Sequence, residues 1–197
     1  MSLIVIWMFL GAGTSVAWFA DTSDDVRNVF NFSKFDAEVS KRNENGSYTV
    51  IDGKSAVFDD NALYEPGYIQ IVFLRVKNKG NVPFKLNTAV NIDNYVPAIN
   101  VFGQQFNLQD YLKFGVVDDS LFDGLSQKLK QRDVVEKLAT LPLNNYAFDT
   151  AVIKAGQEMH IALVVTMPKE VDNLANYRGS TAPRVELGVI LNATQTE

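Results

Sequence analysis

The one imidazole of the chain, His160, stands in Gly156-Gln-Glu-Met-His-Ile-Ala-Leu-Val-Val165 and limits the metal and nucleophile chemistry open to the protein. A zinc site needs two or three converging ligands, and the pattern that sets two histidines and a glutamate on one helical face is absent. There is no cysteine. A serine triad would have to use His160, yet no Gly-x-Ser-x-Gly elbow occurs. A strand histidine without partners reads as a surface or hydrogen-bonded residue. Carboxylates gather at Asp21, Asp24 and Asp25, at Asp59 and Asp60, and at Asp118, Asp119 and Asp123. None has the alternate spacing, central glycine and closing glutamate of a calcium loop, so they read as solvated turns and caps. Gly11 and Gly13 lie in an apolar run and form no phosphate loop. The expectation is therefore no catalytic residue, no metal and no cofactor.

Another kind of chemistry is written at the amino end. Leu3 to Leu10 are all apolar, small residues continue to Ala17, and the first charge is Asp21. That length suits a signal-peptide core and falls short of the roughly 18 to 20 residues a membrane helix needs. Ser15 and Ala17 occupy the small-residue positions that a signal peptidase reads, so cleavage after Ala17 leaves a chain that starts at Trp18. The basic residues that usually open such a segment are absent before Arg27. The expectation is a signal peptide over 1–17 and one β-sandwich domain over 18–197.

The formal net charge is −5, with 18 Lys and Arg scattered singly. Without a basic stripe to release counterions, nucleic acid and anionic lipid are disfavoured as partners. An exported chain without cysteine must be held by its core.

Positioning these residues falls to strands. Phe84, Leu86, Val90 and Ile92 share one face while Lys85, Asn87 and Asn91 share the other, and the same period runs through Met159 to Met167 and Val185 to Leu191. These read as half-buried antiparallel strands. Tyr68 to Lys79 reads as a central strand, and Asn78 to Pro83 holds the residues of a hairpin turn, so Tyr68–Lys79 is expected to pair with Phe84–Ile92. Phe30 and Phe32 fall on one phase while Phe35, Ala37 and Val39 fall on the other. A bulge, a crossing between two sheets or two separate partners would account for that. Leu125, Leu129, Val135 and Leu138 give a helical insertion over 125–141, ended by Pro142, and a shorter helix follows Pro168. The expected fold is all-β: an antiparallel two-sheet, jelly-roll-like sandwich with one or two helical insertions.

The order of certain motifs resembles a known family. Gly13-Thr14 and Ala17-Trp-Phe-Ala-Asp21 are followed by Leu63-Tyr-Glu-Pro-Gly67, by Val76-Lys-Asn-Lys-Gly-Asn81, by Asp110-Tyr-Leu-Lys-Phe-Gly-Val116, and by Asn176-Tyr-Arg-Gly-Ser180 leading to Val185–Gln195. This arrangement, over nearly the whole chain, is similar to the TasA/camelysin family of secreted bacterial matrix-fibre proteins. The resemblance implies a jelly-roll-like sandwich, export by a dedicated (SipW-type) signal peptidase, and assembly into fibres of the biofilm matrix or cell surface. Partners are then further copies of the chain or a related matrix protein, with neither nucleic acid nor, after cleavage, membrane.

An exposed sheet edge accepts any free extended segment, which gives assembly a physical route. Trp18 to Ser33, with Trp18, Phe19, Phe30 and Phe32 as aromatic anchors, is the expected assembly strand, because only cleavage frees it. Its alternative role is an edge strand of its own subunit. Two further readings compete. One is a carbohydrate-binding sandwich that uses Tyr95, Phe102, Phe106 and Tyr111 as a sugar platform. The other is a camelysin-type metallo-endopeptidase, which some members of the family are labelled and which His160 alone does not support.

Overall fold

Alternation along the sequence becomes strands where the apolar face can be buried, and four long ones dominate the structure. The computed structural model describes residues 28–196 apart from 33, 60, 61, 63, 119–140 and 143–146. In chain order the strands are β1 (Val29–Asn31), β2 (Ala37–Arg42), β3 (Tyr48–Val50), β4 (Ile69–Asn78), β5 (Phe84–Val96) and β6 (Ala98–Ile99). They continue with β7 (Gln105–Phe106), β8 (Lys113–Asp118), β9 (Leu141–Pro142), β10 (Ala147–Ile153), β11 (Glu158–Thr166) and β12 (Arg184–Gln195). Among the described residues they form a sheet of order β1-β12-β5-β10, a sheet of order β3-β2-β4-β11-β8-β9, and the small pair β6-β7. All pairs are antiparallel except β1 with β12, where Val29 lies opposite Ile190. The protein is all-β, as its alternation requires.

Both larger sheets feed one core. Val72, Leu74 and Val76 of β4 and Ile161, Leu163 and Val165 of β11 belong to the same buried cluster as Phe84 and Leu86 of β5 and Val189 and Leu191 of β12. Each such side chain contributes about 1.5–3 kcal/mol of transfer free energy against its ordering cost. The change of phase after Phe32 is a crossing between sheets, since β1 belongs to one and β2 to the other. Phe32 and Phe35 both pack on Phe84 at that crossing, with ring centroids 6.1 and 5.2 Å away.

Two expectations are corrected, and a third lies almost wholly outside the described residues. Tyr68–Lys79 and Phe84–Ile92 do not pair, because β4 and β5 stand in different sheets. The neighbours of β4 are β2 and β11 and those of β5 are β12 and β10, so each strand is paired on both sides over part of its length and neither pairs with the other. Asn78 to Pro83 therefore arches from one sheet to the other. Second, β11 and β12 are buried on both faces through their middles. Ala162 and Val164 alternate with the core residues and are nonetheless fully buried. Third, the helical insertion over 125–141 lies outside the described residues save for Leu141, which stands in β9. The shorter segment after Pro168 does turn helically, as 3-10 geometry over Lys169–Ala175 broken at Asp172, where φ is 43°.

Two of the sequence motifs acquire a structural reason. In Leu63-Tyr-Glu-Pro-Gly67, the Tyr68 N–H donates to Glu65 O at 2.8 Å with Pro66 and Gly67 between, and Gly67 has φ +93°. That is a type II turn, which favours proline second and, for its positive φ, calls for glycine third. In Val76-Lys-Asn-Lys-Gly-Asn81, Asn78 is wholly buried. Its Nδ2 donates to the carbonyls of Val82 (2.8 Å) and Ile153 (3.2 Å), and its Oδ1 accepts from the Gly80 N–H (3.0 Å).

Replacing Asn78 with Ala removes all three bonds and strands main-chain groups at the end of the core. The expected loss is about 2 kcal/mol or more of unfolding free energy, read from urea denaturation with an unchanged slope. A variant within about 0.5 kcal/mol of the parent would show that the arch does not depend on this side chain.

Candidate functional site

His160 lies on β11 directly opposite Arg75 of β4, on the face of the six-stranded sheet turned away from the core. Its ring meets that of Tyr48, from β3, with centroids 5.5 Å apart. Its Nε2 is 3.7 Å from Glu158 Oε1. The Arg75 guanidinium stacks over the same Tyr48 ring at 4.7 Å, and its Nε is 3.9 Å from Glu158 Oε2. An imidazole flanked by a guanidinium is a poor ligand for a divalent cation, because the fixed positive charge opposes the metal's own. Among the described residues, no group of three or more His, Cys, Asp or Glu is arranged to hold a metal.

A second cation on this face is built the same way. Arg42, at the end of β2, stacks over Phe73 of β4 at 5.6 Å. Beyond it lies an open groove of about 890 Å³, lined by Arg42 to Asn45 of the β2–β3 turn, by Phe58 and Asp59, and by Gln70 to Phe73. The groove exists because β2 is shorter than β4. Its register ends with Lys41 opposite Leu74, so the first half of β4 has no strand beside it on that side among the described residues. The carbonyl of Tyr68 accepts the Met167 N–H at 3.0 Å. Antiparallel bonding alternates, so Gln70 and Val72 aim their main chain at β11 while Ile71 aims at the groove.

Of the acidic clusters, Asp59 is a groove residue. Asp21, Asp24, Asp25, Asp60, Asp119 and Asp123 lie outside the described residues, and Asp118 ends β8. One carboxylate outside these clusters does local work. Asp52 Oδ1 accepts from the Ser55 hydroxyl and from the N–H groups of Lys54 and Ser55, at 2.9, 2.9 and 3.0 Å. The Ser55 hydroxyl bond, followed by the Lys54 N–H, holds the Asp52 carboxyl below its usual range. On the other side, burial and then the nearby Asp59 raise Tyr68 above the usual tyrosine range.

The 52–55 turn receives the amino-terminal strand. Asn28, 1 % exposed, donates through Nδ2 to the carbonyls of Asp52 (3.2 Å) and Ser55 (2.7 Å), and its Oδ1 accepts from Val189 N–H (3.0 Å). Its own N–H donates to Gly53 O at 3.0 Å. From this clamp β1 runs beside β12, and Phe30 and Phe32 pack against the core of their own subunit with centroids 6.3 Å apart. This narrows the expected assembly strand. Phe30 and Phe32 serve the chain that carries them, whereas Ser15, Ala17, Trp18 and Phe19 lie outside the described residues.

The four aromatics of the expected sugar platform separate. Phe106 is buried and meets Tyr111 at 6.0 Å, whereas Tyr95 and Phe102 are 49 % and 64 % exposed. Phe102 sits on a tight loop tied by the buried Asn100, whose Oδ1 accepts from the Phe102 and Gln104 N–H groups at 3.0 and 2.9 Å. A smaller cleft of about 380 Å³ opens nearby, between Pro97–Ile99, Gln105 and Arg178–Thr181. Four residues expected to act together therefore divide into two core and two surface positions.

Comparison with protein-family models and with curated proteins returns no match for this chain. Among the described residues no helix is long and apolar enough to cross a membrane.

Replacing His160 with Ala is expected to cost on the order of 1 kcal/mol, since it removes a half-buried ring that packs on Tyr48. Zinc should leave the melting temperature of both forms unchanged. A zinc-dependent rise seen only in the parent would make His160 a ligand. For Asp52, the folded-state pKa is lowered, so its contribution is present above the ordinary carboxylate range and is lost as pH falls through and below it. Asp52→Asn should be less stable than the parent at pH 7, and the gap should narrow on acidification to pH 3. An equal gap at both pH values would contradict this.

Proposed function

We propose that the protein is a secreted structural component of an extracellular matrix or cell surface, folded as a jelly-roll-like sandwich and assembling into fibres by strand addition, as its resemblance to the TasA/camelysin family implies. Export and cleavage after Ala17 would free Trp18 and Phe19. The observation that carries the proposal is the clamp at Asn28. It fixes the chain at the edge strand of the four-stranded sheet, where β1 has a neighbour on one side only among the described residues. Residues 18–27 precede that point and span up to about 35 Å when extended, enough to reach the sheet of a neighbouring copy. The donor is thus Trp18 to Arg27, shorter than Trp18 to Ser33, because the later residues serve the subunit's own sheet.

The peptidase reading gains nothing from the surroundings of His160, whose ring packs on Tyr48 with the Arg75 guanidinium stacked on the same Tyr48 ring. The sugar platform also loses support, since Phe106 and Tyr111 face inward.

Deleting residues 18–27 from the cleaved protein should leave a folded β-rich monomer that no longer forms fibres under negative-stain microscopy. Deleting 18–33 should in addition lower stability, because it removes the Asn28 bonds and two phenylalanines. Fibres from the first truncation, or absence of fibres from the intact cleaved protein, would overturn the proposal.

A further inference from the structure

Arg42 and Arg75 share a property that ordinary surface arginines lack. Each guanidinium lies over an aromatic face, Phe73 for Arg42 and Tyr48 for Arg75, and so is held in place from below. Neither makes a hydrogen bond within the molecule among the described residues. Among the described residues, the acid paired with Arg75 is Glu158 at 3.9 Å, beyond hydrogen-bond range, and Arg42 has no acidic partner. Ser40 faces Arg75 in register, so Arg42 is one diagonal step away on the same face, roughly 7–8 Å between strands. The Ser40 hydroxyl between them is buried without a bond. Stacking costs each guanidinium its rotamer freedom, while its planar fork of donors is left unsatisfied. Such a fork fits a carboxylate with two parallel bonds.

The adjoining groove supplies the rest of a recognition surface. Asn43 spends its Nδ2 on Ser47 and Thr49, and Asn45 spends its Oδ1 on Ser47, so one amide presents an acceptor and the other a donor. Gln70 Oε1 is buried without a partner. Ile71 offers main-chain groups along the floor. Hydroxyl-bearing ligands are bound through such mixed donors and acceptors, and the open shape lets a chain pass through.

Charge chooses among anionic chains. Glu44 and Asp59 also line the groove, and the protein is net negative at −5. A nucleic acid, with a phosphate about every 3.4 Å per strand, would set charges against both acids. A glycan with one carboxylate per sugar can place them at the arginines and hydroxyls beside the acids. We propose that the groove and the paired arginines Arg42 and Arg75 bind an acidic polysaccharide of the uronate type. This site is independent of the fibre proposal, for it uses neither the amino-terminal segment nor assembly.

The test uses hexagalacturonate, its fully methyl-esterified form, a single-stranded oligonucleotide and a peptide of residues 18–27, each titrated into the full chain by calorimetry, with amide shifts followed by NMR. Hexagalacturonate should bind, weaken with added salt, and shift the amides of Asn43, Asn45 and Ile71. The ester should bind at least about tenfold more weakly. Arg42→Gln should raise the Kd about tenfold and Arg42→Lys less, since lysine keeps the charge and loses the fork. The Arg42 side chain makes no hydrogen bond among the described residues and only the one stacking contact, so its variants should melt within a few degrees of the parent. Shift mapping on the parent gives a reading that needs no variant. No binding of hexagalacturonate, shifts elsewhere, or binding indifferent to Arg42→Gln would overturn the proposal. So would tighter binding of the oligonucleotide or of the 18–27 peptide at the same amides.

Discussion

Where a chain without disulfides crosses between sheets, main-chain groups leave the ladders close to the core, and each must find a partner or cost about 1–3 kcal/mol. Three buried asparagines meet that constraint here. Asn28 takes the carbonyls of the 52–55 turn and an N–H of β12. Asn78 takes those of the arch between β4 and β5 and the last carbonyl of β10. Asn100 ties its loop to Leu174, donating to that carbonyl at 3.2 Å. An amide side chain suits all three places, since it carries a donor and an acceptor on one short stem and can bridge two segments at once. The sheets, their shared core and the grooves at their margins all depend on these crossings being closed.

That constraint also explains which parts of the fold could be read in advance. The long strands announce themselves, because a residue either faces the core or does not, and a period of two follows. The switch after Phe32 was legible as a change of phase. Pairing was not. Asn78 to Pro83 has the composition of a hairpin, and the same residues serve an arch, because glycine and asparagine permit a turn without saying which strands lie on its far sides. The burial of Ala162 and Val164 was likewise hidden, since continuous apolar stretches look alike whether one face or both are covered. The short β3, β6, β7 and β9 carry too few residues for any period.

The chemistry legible in the sequence centred on His160, whose neighbours only the structure names. His160 is held by Tyr48 beside Arg75, an arrangement for packing a sheet face. Pro66-Gly67 and Asn78, in the motifs that carry the resemblance, are turn and crossing residues in this chain, so their work here is backbone geometry. The arginine pair escaped notice because nothing in the sequence tells a stacked guanidinium from a solvated one. Arg42 and Arg75 are separated along the chain, and only the register of β2 on β4 sets them on one face.

This separation of tasks has a physical logic. A net-negative protein repels other copies of itself at long range, so contacts that build or bind must be local and dense enough to act within the screening length of about 8–10 Å. An edge strand does this with main-chain bonds, which carry no net charge. A stacked arginine does it with a charge already desolvated on one face by an aromatic ring, so less hydration is lost when an anion arrives and less freedom remains to be surrendered. The two devices sit on different sheets, the clamp of Asn28 on the four-stranded one and the arginines on the six-stranded one. Occupying one therefore leaves the other exposed, as the proposed assembly and glycan binding together would require.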